Sequence, residues 1–262
     1  MNILVIGDGS AGKRHARLLT NRGHKCLVLG PRDITGSFTS EGVIIATPPD
    51  WHEYNIRAWQ SHHLLCEGPC TCLPKPGITQ IHMMASNWRF IPELQKLKAK
   101  KELPVLAHFW YNHDLNLWRP DTDIKNTCYY WCGHDMINVH EVDTAFWLFG
   151  PAEELKVYKL YTGKTRACDG YTMMIKHKTG VLTTINSSWH NSFYTRGYRL
   201  NYANGRQESQ IWHSPDHDDL VNQSYEDMID HWLQHIEEGN PLVEPNLEDG
   251  YRAYKALQGE CV

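Results

Sequence analysis

The chain has 262 residues, enough for two modest domains that each bury a core. Its 26 basic and 30 acidic side chains leave a net charge of -4, which argues against nucleic acid or an anionic membrane as the main partner. No apolar run reaches membrane-spanning length and no basic-then-apolar leader opens the chain, so a cytoplasmic protein is expected, with its eight cysteines reduced.

In chain order, the first element is an apolar run, Ile3-Leu4-Val5-Ile6, followed by Gly7, Gly9 and Gly12 at G-x-G-x-x-G spacing. Each glycine meets a physical need: a tight turn off the strand, close approach of a pyrophosphate to bare backbone, and close packing of helix on strand. The amides of Ser10 and Ala11 then open a helix whose positive end favours phosphate. The corner Gly7, Gly9, Ser10, Ala11 and Gly12 is therefore expected to bind a dinucleotide.

Lys13 to Arg22 reads as the first helix, stopped by Gly23. Lys25 to Leu29 is the second strand. An acid at the tip of this strand favours NAD, and a nearby cation favours the 2′-phosphate of NADP. Here the tip reads Gly30-Pro31-Arg32-Asp33, so Arg32 tilts the expectation towards NADP, with NAD the alternative. The third strand is Val43 to Ala46, after a connection too short for a good helix. Asp50 is expected to N-cap a helix from Trp51 to Ser61, and the Thr47–Pro48 or Pro48–Pro49 bond to be cis. His63 to Cys66 and Gln80 to Ala85 are the next strands. The Pro- and Gly-rich residues between them leave no room for a second helix.

Further along, Pro92 to Lys101 reads as a helix, Val105 to Tyr111 as a strand and Met136 to Leu148 as a helix. Strand-like runs follow at Leu155–Leu160, Tyr171–His177, Val181–Ser188, Arg199–Tyr202 and Gln210–His213. Lys178-Thr179-Gly180 and Ala203-Asn204-Gly205 look like hairpin turns. Tyr225 to Glu238 is the last helix read here. Cys70-x-Cys72 and Cys128-x-x-x-Cys132 do not have zinc-site spacing, and no metal is expected.

Several motifs in this order resemble one family. G-x-G-S-x-G-x-R-H at Gly7–His15, A-T-P-P-D-x-H at Ala46–His52, C-E-x-P at Cys66–Pro69, N-x-R-F-x-P from Asn87, and His140-Glu141-x-Asp143 are similar to the glucose-fructose oxidoreductase / inositol dehydrogenase (Gfo/Idh/MocA) family. The resemblance implies an α/β chain. Residues 1–88 would form an N-terminal Rossmann domain, here with reduced crossovers, and 89–262 a C-terminal α/β domain with a mostly antiparallel open sheet. It implies NAD(P)-dependent hydride transfer on a sugar, sugar acid or nucleotide-sugar alcohol or ketone, and a homo-oligomer, dimer or tetramer. It adds Arg14, His15, Thr47, Pro48, Pro49, His52 and Glu67 to the cofactor set and His140 as the acid/base residue. Read from the residues themselves, Asp143 shares the His140 helix face one turn on and is its candidate acid/base partner, Arg89 and Arg119 are candidates to bind a carboxylate or sugar diphosphate, and Trp118 to stack on a sugar ring.

Two departures bear on chemistry. The family's E-K-P reads Glu67-Gly68-Pro69 here, and glycine cannot move a proton. One turn before His140 the family has an aspartate, where this chain has Met136 and Ile137. A dinucleotide-binding sensor or scaffold without catalysis is therefore the alternative reading.

Overall fold

The computed structural model describes residues 1–30, 39–75, 80–118, 123–133, 138–212 and 218–261. The chain divides into two compact units, Met1–Phe90 with Asn222–Tyr251, and Ile91–Val221 with Arg252–Val262. Residues 222–251, which a division at 88/89 assigns to the second domain, thus belong with the first.

The first unit holds five parallel strands: β1 (Asn2–Ile6), β2 (Lys25–Leu29), β3 (Gly42–Ile45), β4 (His63–Glu67) and β5 (His82–Ala85). Their order is β2-β1-β3-β4-β5. The chain steps from β1 out to β2, then returns past β1 to β3. This reversal opens a crevice at the carboxyl ends of β1 and β3, the place where such sheets bind ligands. Ile3 to Ile6, Val43 to Ile45 and Leu64 to Cys66 are all buried. Unbroken apolar runs are what a parallel sheet covered on both faces demands.

One face packs on α1 (Ser10–Asn21) through Leu18 and Leu19. The other packs on α2 (His52–Trp59) through Ile56, with Cys66, Cys70 and Cys72. Between β4 and β5 the described residues form no helix, as the sequence led us to expect, and the short connection from β2 to β3 lies mostly outside the described residues. The helix Asp218–Glu238 returns to lay Met228, Ile229, Trp232 and Leu233 on the α1 face of the sheet. Trp232 lies so close to the sheet that a Cβ on Gly42 would meet its ring at 2.8 Å.

The second unit is a sheet of six strands, β6 (Leu106–Asp114), β7 (Ala152–Leu160), β8 (Gly170–His177), β9 (Leu182–Ser188), β10 (His190–Asn201) and β11 (Gln207–Trp212). They run in the order β11-β10-β6-β9-β8-β7. Only β6 and β9 pair parallel; the other neighbours are antiparallel. Burial alternates along β6 and β8, so one face is covered and the other open. The helix His140–Phe149 lies on the covered face, with Phe149 and Phe109 rings 6.3 Å apart. Both expected hairpins form, with Gly180 at φ 88° and Gly205 at φ 82°.

Two local expectations fail. Asp50 does not cap the helix; it sits inside a 3-10 turn, Pro49–Trp51, and neither that turn nor α2 has a side-chain N-cap. Pro48 and Pro49 set this shape, because their fixed φ already suits a helical start and the turn needs no cap. The cis bonds among the described residues are Gly68–Pro69 and Glu244–Pro245, not those around Pro48 and Pro49.

Candidate cofactor and substrate sites

The corner after β1 distinguishes its three glycines. Gly7 has φ 117°, and a Cβ there would run into the Ala46 carbonyl. A Cβ on Gly12 would run into the Gly7 carbonyl. Gly9 is different. Its φ of -71° and ψ of -172° are ordinary extended backbone, and a Cβ there would meet nothing within 4 Å. Among the described residues, therefore, nothing requires a glycine at 9. What its missing side chain preserves is open space against the first turn of α1, where the amides of Ala11 and Gly12 have no acceptor inside the helix. Asp8, Gly9 and Ser10 are exposed, and among the described residues no side chain plugs the corner. A pyrophosphate fits this cradle, and with it a nicotinamide dinucleotide.

Beside the corner, the loop after β3 carries Thr47, Pro48 and Pro49, with Thr47 and Pro49 buried. His52 is fully buried at the start of α2. Its Nδ1 lies 2.7 Å from the Pro69 carbonyl and its Nε2 2.7 Å from the Thr47 carbonyl. Burial lowers its pKa, against the pull of the two carbonyls. Both ring nitrogens face backbone, so His52 acts on the crevice by tying the β3 loop to the β4 loop. His15 and Glu67 also meet: His15 Nε2 is 2.6 Å from a Glu67 oxygen, joining α1 to the end of β4. The His15 ring has no exposed surface, and its Nδ1 has no partner among the described residues. Arg14 lies with its guanidinium 4.1 Å over the Tyr225 ring. Gly68, next after Glu67, brings no side chain to the crevice.

Arg89 is 5% exposed and pairs with Asp249 at 3.2 Å, so its charge is met within its own unit. Arg32 and Arg119 lie outside the described residues, as does the Trp118 side chain at the end of the helix Leu115–Trp118. In the second unit, His140 is the first residue of its helix and half-buried, and Asp143 is buried one turn on. Met136 and Ile137 are outside the described residues. Among the described residues no three His, Cys, Asp or Glu side chains are placed to hold a metal ion.

Sequence reading missed the ion pair next to His140. Arg196 on β10 donates from Nε to Glu141 at 2.6 Å, both side chains nearly fully buried, and its guanidinium lies 4.4 Å over the Tyr111 ring. No local signal links two residues 55 positions apart. The pair anchors the first turn of the His140 helix to β10.

On the same strand as Tyr111, His113 is 2% exposed, and burial pushes its pKa down to about 4. An unfolded His titrates near 6.5, so between these values the unfolded chain binds the extra proton. Stability contributed by neutral His113 is therefore complete above about pH 6.5 and falls by up to about 3 kcal/mol as the pH drops to about 4. Denaturation midpoints measured across this window should flatten in His113→Phe; an unchanged slope would refute the assignment.

No protein-family model and no curated protein matches the sequence. Solved structures do. The myo-inositol dehydrogenase of Corynebacterium glutamicum aligns at TM-score 0.73 and 14% identity over 98% of this chain and 94% of its own. A levoglucosan dehydrogenase solved with NADH and levoglucosan aligns at 0.72 and 16% identity, covering 99% of this chain and 95% of its own. The UDP-N-acetylglucosamine 3-dehydrogenase of Acidithiobacillus ferrooxidans aligns at 0.71 and 17% identity, over 98% and 95%. The resemblance in the motifs thus extends to the fold: an N-terminal dinucleotide-type sheet followed by a mostly antiparallel sheet, the architecture that this chain shares with these dehydrogenases.

Proposed function

We propose that the protein is an NAD(P)-dependent oxidoreductase that moves hydride between nicotinamide and a sugar, sugar acid or nucleotide-sugar alcohol or ketone. The open cradle at Gly9 carries this reading, because no packing need among the described residues explains it. The fold likeness to sugar dehydrogenases supports it. The cofactor, when bound, supplies the carbon that gives or takes hydride. The chain supplies the rest. Gly9 and the amides of Ser10, Ala11 and Gly12 hold phosphate, and the His52-tied loops carrying Thr47, Pro48, Pro49 and Glu67 shape the crevice. His140 moves the hydroxyl proton, assisted by Asp143 on the same helix face. Trp118, Arg119 and Arg89 complete the substrate side. With glycine at 68, His140 has no lysine to share this task, so a slow enzyme is expected.

His140→Ala should lower kcat about 100-fold, the low end for losing one acid/base group, with cofactor affinity unchanged. An unaltered kcat would remove His140 from the chemistry. Gly68 also favours the second reading, a cofactor-binding sensor. Gly68→Lys distinguishes the two: a variant that turns over sugar alcohols where the parent shows no rate establishes the sensor. For cofactor choice, Arg32 should make NADPH bind about tenfold tighter than NADH, and Arg32→Ala should abolish the difference. We also propose a cytoplasmic homo-oligomer. The open face of the second sheet exposes Tyr158, Leu160, Met174 and Ile211, and a second copy would cover it.

A further inference from the structure

The first unit contains a second cavity on the flank of α1. Its volume is about 180 Å³, and it is lined by Arg14, Arg17, Leu18, Asn222, Tyr225 and Glu226. Pockets for drug-sized ligands begin at about 300 Å³, so this one suits a single small group and excludes a nucleotide. The lining is built mainly of hydrogen-bond donors. Arg14 and Arg17 stand three residues apart on one face of α1, and Asn222 and Tyr225 face them from the helix Asp218–Glu238. The Arg14 guanidinium carbon lies 4.1 Å from the Tyr225 ring centroid, a cation–π contact that holds the Arg14 side chain against the helix Asp218–Glu238.

The charge balance is positive. Glu226 is the only acid in the lining, and it also faces Arg22 at 3.8 Å, which in turn bonds Asp230 at 2.7 Å. Arg17 is in no ion pair among the described residues. Two guanidinium groups, an amide and a phenol around so small a space match an oxyanion with several acceptor oxygens better than a carboxylate, which one arginine satisfies. We propose that this cavity binds a phosphate dianion, either inorganic phosphate or the phosphate of a small monoester. It is separate from the pyrophosphate cradle. Arg14 and Arg17 lie about 6 and 10 Å along the helix from Ser10 and face the neighbouring helix.

The test is an NMR titration of the full chain with inorganic phosphate, following the Arg Nε–H and Asn Nδ2–H signals. Saturating shifts of the Arg17 and Asn222 signals are expected in the millimolar range. Arg17→Ala and Asn222→Ala should each weaken phosphate about tenfold, the loss of one charge-assisted or strong hydrogen bond, while NADH affinity stays unchanged. A parallel titration with methyl phosphate identifies the source: equal affinity means a monoester is accepted, and binding of inorganic phosphate alone means a fully enclosed free anion. The proposal is overturned by no saturation at about 20 mM. It is equally overturned if phosphate shifts only the amides of residues 9–12 and NADH displaces it, since the anion would then lie in the cofactor cradle.

Discussion

Gly9→Val should abolish useful cofactor binding without unfolding the protein. The reason is the asymmetry among the three glycines. A Cβ at 9 meets nothing within 4 Å among the described residues and its backbone angles suit any residue, so the fold loses little. The same side chain enters the space in front of the α1 amides, where phosphate must come within hydrogen-bond distance. We expect NADH and NADPH affinities to fall about 1,000-fold, which is about 4 kcal/mol, with the thermal midpoint within about 2 °C of the parent. Gly12→Ala makes the contrast. Its Cβ would strike the Gly7 carbonyl, so it should lose about 3 kcal/mol of stability, as overpacking against unyielding backbone does. If Gly9→Val retains parental affinity in a fluorescence titration, the cradle is not a phosphate site and the oxidoreductase reading falls.

Trp232→Ala should be the most destabilising single truncation in the first unit. Trp232 is fully buried and packs over Gly42 and Ile3, in the cover that the helix Asp218–Glu238 lays on the sheet. Removing a buried Trp typically costs about 3–5 kcal/mol, part from lost transfer and part from the cavity left behind. Trp232→Phe should cost much less. It keeps a ring against the sheet and removes an indole N–H that is buried without a partner among the described residues. Urea denaturation with a probe in the first unit checks both. A Trp232→Ala protein within about 1 kcal/mol of the parent would mean that this helix does not cover the sheet.

The elements legible in the sequence have their causes close together in the chain. The β1–α1 corner is one, since turn, cradle and packing glycines fall within six residues. The hairpins at Gly180 and Gly205 are others, each set by a positive φ at one residue. Strand β10 was read four residues long, at Arg199–Tyr202, but runs from His190 to Asn201. Its first half, His190 to Arg196, mixes polar and aromatic residues with no clear alternation. It is held as strand by β6 alongside, across a bulge between His190 and Thr195. Neighbours supplied what local propensity lacked. The helix that begins at His140 shows the same limit: the motif resemblance singled out His140, whereas nothing in the sequence pointed to Arg196 beneath Glu141.

From sequence alone came the three-glycine corner after β1 and the absence of a lysine after Glu67, because each depends on backbone sterics or residue identity over a few positions; the order of the two sheets came from the motif resemblance. Tertiary structure alone decided that residues 222–251 complete the first unit, that His52 clasps two loops, and that Arg196 anchors the His140 helix. These joins cross tens to hundreds of residues. They are chosen when the whole chain closes and its apolar faces find cover, a global balance of burial against loop entropy that no short segment encodes.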